Sequence, residues 1–259
     1  MLLATWNVNS IRARQERLVE WLDARKPDVV CLQELKCELP ALEALALKEL
    51  GYEVAATCQK TYNGVAILSK RPLEDVQIGL QDGDAEDTQA RLVAATVDGI
   101  RVVSVYVPNG QAVGSEKYAY KLRWMERLRR YLDQRCDPAR PLAVLGDFNV
   151  APEPRDVYDP AAWEGETLFH VDARAALERI REFGLVDAFR LHHDEAGAYS
   201  WWDYRMLAFP KNRGLRIDLV LVTRPLAERI TGSFIDREMR KGQGPSDHVP
   251  VVVEIASPR

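Results

Sequence analysis

Leu92-Val93-Ala94-Ala95-Thr96-Val97-Asp98-Gly99-Ile100-Arg101-Val102-Val103-Ser104-Val105-Tyr106-Val107 is the stretch that decides the fold class. Residues 92–97 and 102–107 are strand-like runs, and the Asp98-Gly99 between them is a dipeptide that turns an antiparallel hairpin. The next apolar run, 142–145, comes only after a stretch of helical period at 118–132, so a crossover follows the hairpin. A chain that uses both kinds of link fits neither a doubly wound sheet nor an all-antiparallel sandwich. Further strand-like runs lie at 2–6, 29–32, 65–68, 217–222 and 249–255. Helical stripes lie at 14–24, where Leu18, Trp21 and Leu22 align, and at 42–50 and 173–183. Asp172 is the expected N-cap of the last helix and Gly184 its stop. The pattern predicts an α/β fold of two mixed β-sheets packed face to face, with helices on the outside.

The 259 residues are 47% hydrophobic, enough for one large core, and no Gly/Ser run, Pro-rich tract or block of like charge divides them. A single domain over 1–259 is expected, without internal repeats. Met1-Leu2-Leu3-Ala4 is too short for a signal peptide, and no run is long enough to span a bilayer. Cys31, Cys37, Cys58 and Cys136 lack the close pairing of zinc sites. These features point to a cytoplasmic, reduced protein that does not engage a membrane, and a monomer is expected. Net charge is −4, yet residues 117–130 hold six bases and one acid, and 200–216 four bases and one acid. An uneven field of this kind leaves room for a polyanionic partner.

Four apolar runs end in polar clusters: Trp6-Asn7-Val8-Asn9, Leu32-Gln33-Glu34, Gly146-Asp147-Phe148-Asn149 and, leading into the last run, Ser246-Asp247-His248. Four clusters at four strand ends suggest one pocket. With Tyr106 and Asp218 the set is rich in carboxylate and amide oxygens, has one imidazole and lacks a thiolate. Hard oxygen donors favour Mg²⁺, with Mn²⁺ as a substitute. No Gly-x-Ser-x-Gly, Gly-x-Gly-x-x-Gly or Walker loop is present, so acyl transfer and dinucleotide chemistry lack support. Metal-assisted attack of water on a phosphodiester fits. Duller readings exist: Asn7 and Asn9 as turn formers, Tyr106 as a core aromatic. Asp218 resists one, because a carboxylate opening an apolar strand needs a partner, and His248 is the best available.

Seven motifs resemble the exonuclease III and apurinic/apyrimidinic endonuclease family, in the family's order. They are Trp6-Asn7-Val8-Asn9-Ser10-Ile11-Arg12, Leu32-Gln33-Glu34-Leu35-Lys36, Tyr62-Asn63-Gly64-Val65-Ala66, Tyr106-Val107-Pro108-Asn109-Gly110, Gly146-Asp147-Phe148-Asn149, Leu215-Arg216-Ile217-Asp218 and Ser246-Asp247-His248. The resemblance implies a four-layered α/β sandwich and an Mg²⁺-dependent DNA repair nuclease. Such an enzyme cuts 5′ to abasic sites in duplex DNA and clears blocked or intact 3′ ends. It further implies metal ligation by Glu34 with Asp247 and Asn9, while Asn7 holds Asp147 in place beside the metal group. Asp147 and Asn149 would align or deprotonate water. His248, oriented by Asp218, would contact the phosphate or take a proton, and Tyr106 would donate to the phosphate or help activate the nucleophile. Asn109 would grip the phosphate. Asn9 stands where some members carry Asp, which weakens a second metal position, so one ion is expected.

The run Ser200-Trp201-Trp202-Asp203-Tyr204-Arg205-Met206-Leu207-Ala208-Phe209 mixes aromatics with charge, and Arg205, Lys211, Arg213 and Arg216 suggest a surface role. By the same resemblance Trp201 would face a sugar pocket, Leu215 would form its apolar wall, and Arg205 or Met206 would wedge into the minor groove. Arg12, Lys60, Lys117 and Lys121 are candidates for phosphate contacts. Two alternatives stand beside this reading: a phosphatase or phosphodiesterase of the wider superfamily, and a non-catalytic nucleic-acid-associated regulator. The latter would be expected to lose site acids, and none is missing.

Overall fold

The computed structural model describes residues 1–43, 47–84 and 87–257. In chain order the elements are β1 (Leu2–Asn7), α1 (Gln15–Arg25), β2 (Val29–Gln33), α2 (Leu39–Glu43), β3 (Glu53–Thr57), β4 (Val65–Ser69), β5 (Glu74–Ile78), β6 (Leu92–Val97) and β7 (Ile100–Tyr106). There follow α3 (Glu116–Arg135), β8 (Leu142–Asp147), α4 (Pro160–Trp163), α5 (Val171–Arg181), β9 (Leu185–Asp187), β10 (Asp218–Thr223), α6 (Arg224–Ala227), β11 (Ile230–Ile235) and β12 (Val251–Ile255). One sheet runs β11-β12-β1-β2-β4-β3 and the other β5-β6-β7-β8-β10-β9. Both are mixed: β1–β2 and β7–β8 pair parallel, while the other ladders are antiparallel.

Side-chain alternation builds four layers. Along β8, Ala143 and Leu145 face the other sheet, whereas Leu142 and Val144 face α3 and α5. Along β1, Leu3 faces the inter-sheet core and Ala4 and Trp6 pack under α1, against Leu18, Trp21 and Leu22. A strand buried on both faces has no polar side, which is why these runs read as continuously apolar. The sandwich of two mixed sheets with outer helices is therefore as expected. Asp98 and Gly99 both adopt positive φ and turn β6 into β7, the two-residue hairpin read from the sequence.

Two local expectations need correction. The N-cap of α5 is His170, whose Nδ1 accepts from the Asp172 amide, so Asp172 lies in the first turn and serves the helix dipole instead. Of the stripe at 42–50, residues 42 and 43 lie in the helix Leu39–Glu43 and residues 47–50 form a turn, while residues 44–46 lie outside the described residues. No helix among the described residues is long and apolar enough to cross a membrane.

Gly146 fixes how closely β7 approaches β8. It has φ +153°, and a Cβ there would lie 1.9 Å from the Val105 carbonyl oxygen. Gly146→Ala is expected to cost about 3 kcal/mol or abolish folding, since backbone cannot yield as a side-chain tip can. An unchanged urea midpoint would show that the strands part freely. The same approach sets the register Tyr106↔Asp147, and on the far side Asp147 pairs with Asp218.

Candidate active site

The ends of β1, β2, β7, β8 and β10 and the loop before β12 meet at one rim of the sandwich. Acceptor atoms of Glu34, Asp147 and His248 all lie within 4.8 Å of one another, although the three residues come from both sheets. Asn7 joins them. Its Nδ2 donates to Glu34 Oε1 at 2.8 Å and to Asp147 Oδ2 at 2.9 Å, and its Oδ1 accepts from the Asn9 amide. Asn7, expected beside the metal ligands as the residue that holds Asp147, presents its donors to both carboxylates.

Glu34 sits at φ +52°, an unfavourable conformation for a residue with a Cβ. The segment is held there by Ser10 N to Glu34 O at 2.8 Å and Leu35 N to Gly64 O at 3.2 Å. Lys36 Nζ bridges Glu34 Oε2 and Asn9 Oδ1, 2.7 Å from each, and Asn9 Nδ2 donates to Asp247 Oδ1 at 2.9 Å. The second Asp247 oxygen accepts from Trp201 Nε1 at 3.0 Å. Burial would raise Glu34, but the Lys36 charge and the hydrogen bonds from Asn7 and Lys36 outweigh it and hold the carboxyl below its usual range.

Asp147 is buried and accepts from the Asn149 amide at 2.8 Å and from Asn149 Nδ2 at 3.2 Å. Burial, opposed by the His248 charge and seconded by Asp218 and Glu34, pushes its pKa up. His248 Nδ1 lies 2.9 Å from Asp218 Oδ2, and Nε2 lies 3.7 Å from Asp147 Oδ2. Burial works against the imidazolium, but Asp218 and Asp147 win and hold it above the ordinary histidine range. Ser200 Oγ donates to Asp218 at 2.6 Å and completes its shell. Burial and the charges of Glu34 and Asp147 push the Tyr106 phenol far up.

Asn109 Nδ2 donates to Asn149 Oδ1 at 3.0 Å. From Glu34 and Tyr106 a groove of about 790 Å³ leads past Arg91 and Asn109 to Lys117. Trp201 lies 6.5 Å from the His248 ring, over the buried Leu215, with which it forms a β-bridge. Beside them Val157, Leu168, Phe169 and Trp163 form an apolar cluster. Met206 and Leu207 are 78% and 65% exposed, whereas the Arg205 guanidinium is held by Asp203 at 2.7 Å. Arg12 and Lys60 are exposed.

Two basic residues are not where the sequence suggested. Lys121, expected on a phosphate, is fully buried and donates to the carbonyls of Asn109, Asn149 and Thr167, because α3 turns that face onto the site loops. Burial draws its ammonium down to about 7 against the pull of Asp147. Arg216, read as part of a surface patch, is equally buried, 2.7 Å from both Asp156 and Asp187. Sequence reasoning also passed over Lys36, Ser200 and Arg91, whose guanidinium lies 4.8 Å from the Tyr106 ring centre. Lys36 and Ser200 stood inside or beside quoted motifs, so their place next to Glu34 and Trp201 was the available signal.

Residues 4–248 match the model of the endonuclease/exonuclease/phosphatase family. Exodeoxyribonuclease III of Haemophilus influenzae is 34% identical, over 98% of this chain and 99% of that protein. An AP endonuclease from Archaeoglobus fulgidus superposes with a TM-score of 0.95 at 42% identity, covering 98% of this chain and 99% of the other. A Neisseria 3′ phosphatase bound to a product DNA hairpin superposes with a TM-score of 0.94 at 39% identity, covering 99% and 100%. With the site acids and histidine clustered at the sheet ends, these matches show that the chain belongs to the endonuclease/exonuclease/phosphatase family and is a nuclease of its exonuclease III and AP endonuclease branch.

Proposed function

We propose that this protein is an Mg²⁺-dependent repair nuclease that hydrolyses the phosphodiester 5′ to abasic sites in duplex DNA and also clears 3′ blocking groups or nucleotides. The observation that carries the proposal is the convergence of Glu34, Asp147 and His248 within 4.8 Å beside an apolar, aromatic cluster. Asp147, steadied by Asn7 and Asn149, takes a proton from the attacking water, and its raised pKa suits a base. His248, kept cationic by Asp218, donates from Nε2 to a phosphate oxygen, which leaves proton abstraction to Asp147. Tyr106 stays a neutral phenol and donates likewise, and Asn109 steadies the phosphate.

The donor set fits a hard cation, since Glu34 and Asn9 already share the Lys36 ammonium at 2.7 Å each. Glu34, Asn9 and Asp247 would hold Mg²⁺, which when bound supplies positive charge against the phosphate and the leaving 3′-oxygen. Glu34→Ala is therefore expected to weaken Mn²⁺ binding, read by calorimetry, by at least about tenfold. Its cleavage should recover in part as Mg²⁺ is raised. Recovery in a His248→Ala variant but not in Glu34→Ala would reverse the assignment.

The apolar cluster by Trp201 and Leu215 would pack against a baseless sugar, which leaves the stack at little cost. Met206 is free to enter the duplex, whereas Arg205 is tied to Asp203. Lys117 and Arg12 would follow the backbone. The test compares a duplex carrying one abasic analogue with a nicked duplex ending in 3′-phosphate, each with Mg²⁺ and with EDTA. Cleavage of both that stops in EDTA is expected. Intact abasic duplex at every Mg²⁺ level would sink the proposal.

A further inference from the structure

Lys121 is a cation with no place in the chemistry above, yet it touches three of the segments that frame it. It is fully buried, and among the described residues its hydrogen-bond partners are three backbone carbonyls with no carboxylate among them. Its Nζ donates to Asn149 O at 2.7 Å, Thr167 O at 2.8 Å and Asn109 O at 3.2 Å. An ammonium has three N–H groups, and all three are used. A buried charge without a carboxylate is costly, so a merely space-filling residue here would be apolar.

What the three carbonyls belong to is informative. Asn149 follows Asp147 at φ +49°, a strained conformation, and its amide groups set both Asp147 oxygens. Asn109 donates to Asn149 and opens the groove toward Lys117. Thr167 immediately precedes Leu168 and Phe169 of the aromatic pocket. The Asn109 turn also sits tight on α3: a Cβ at Gly110 would lie 3.1 Å from Lys121 Cδ and 3.0 Å from the Tyr118 ring.

We propose that Lys121 is a positioning residue for hydrolysis, its ammonium locking the Asn149 backbone, and through it the Asp147 carboxylate, to the Asn109 turn and the pocket wall. The proposal rests on the reading of Asp147 as the proton acceptor. Lys121→Met keeps the length of the stem and removes the three donors. On the abasic duplex kcat is expected to fall by about 10- to 100-fold with KM within about threefold, as for a misplaced base with intact binding. In an Asp147→Asn background the same substitution should change kcat by less than about threefold, because there is no carboxylate left to misplace. A purely architectural lysine would lower the melting temperature and act equally in both backgrounds.

An unchanged kcat, a loss confined to KM, or equal factors in the two backgrounds would overturn the proposal while wild-type cleavage leaves the functional reading standing. Wild-type protein that cleaves nothing would overturn both. If Lys121→Met does not fold, Lys121→Gln, which retains two donors, reads the same ratio. Failure of both to fold would make the ammonium a folding requirement and overturn the positioning role.

Discussion

Asp147→Asn is expected to slow hydrolysis by about 10²–10⁴-fold, the range for losing a general base. The substitution removes more than a charge. Asp147 accepts from Asn7 Nδ2, the Asn149 amide and Asn149 Nδ2 at 2.8 to 3.2 Å, so each of these partners offers it a hydrogen. An asparagine amide must turn its own NH₂ toward one of those donors, or toward His248, and one buried hydrogen bond becomes a clash. The proton acceptor and its alignment are lost together. Single-turnover rates at saturating DNA would show the loss, with affinity for uncleaved duplex changed little. A decrease of less than about tenfold would place the base on another group.

Asp218→Asn should produce the second large effect, on both rate and stability. Asp218 is fully buried and its carboxylate faces His248 at 2.9 and 3.1 Å. Without that charge, burial pulls His248 toward the neutral form, so the cationic donor to the phosphate is lost at neutral pH. The rate is expected to drop about 10²-fold, and folding stability at pH 6 by about 3 kcal/mol, as when one partner of a buried pair is removed. The folded His248 value lies above its ordinary 6.5, so the pair's contribution is complete below 6.5 and is lost as pH rises through about 10. In EDTA, the gap between wild type and variant should therefore be widest below pH 6.5 and close across that interval. A constant gap would mean that the histidine is neutral in the native protein.

How far the residues alone reveal this molecule depends on burial. The eight strands read from the sequence are all represented, to within two residues at either end, whereas β3, β5, β9 and β11 were not recognised. Those four are the edges of the two sheets. An edge strand is covered on fewer sides, and β5 (Glu74–Ile78) is exposed at four of its five positions, so only the isolated Val76 and Ile78 mark it. The site acids were legible for the converse reason: Glu34, Asp147 and Asp218 interrupt runs that otherwise avoid water. Lys121 was misread because helical spacing puts it beneath Lys117 and cannot say which face of α3 is covered. Ser200, Lys36 and Arg91 are ordinary loop and strand-end residue types, and only their neighbours in space make them part of the site.

The order of strands in the first sheet bears on biosynthesis. β12 lies between β11 and β1, and the loop that leads into it carries Asp247 and His248. While the ribosome is still making the middle of the chain, one side of β1 has no ladder partner and offers bare amides to any passing strand. Its proper neighbour follows the other eleven strands of the described residues and brings the imidazole with it. On the proposed roles of Asp247 and His248, nuclease activity is expected to await the closing of the sheet around β12.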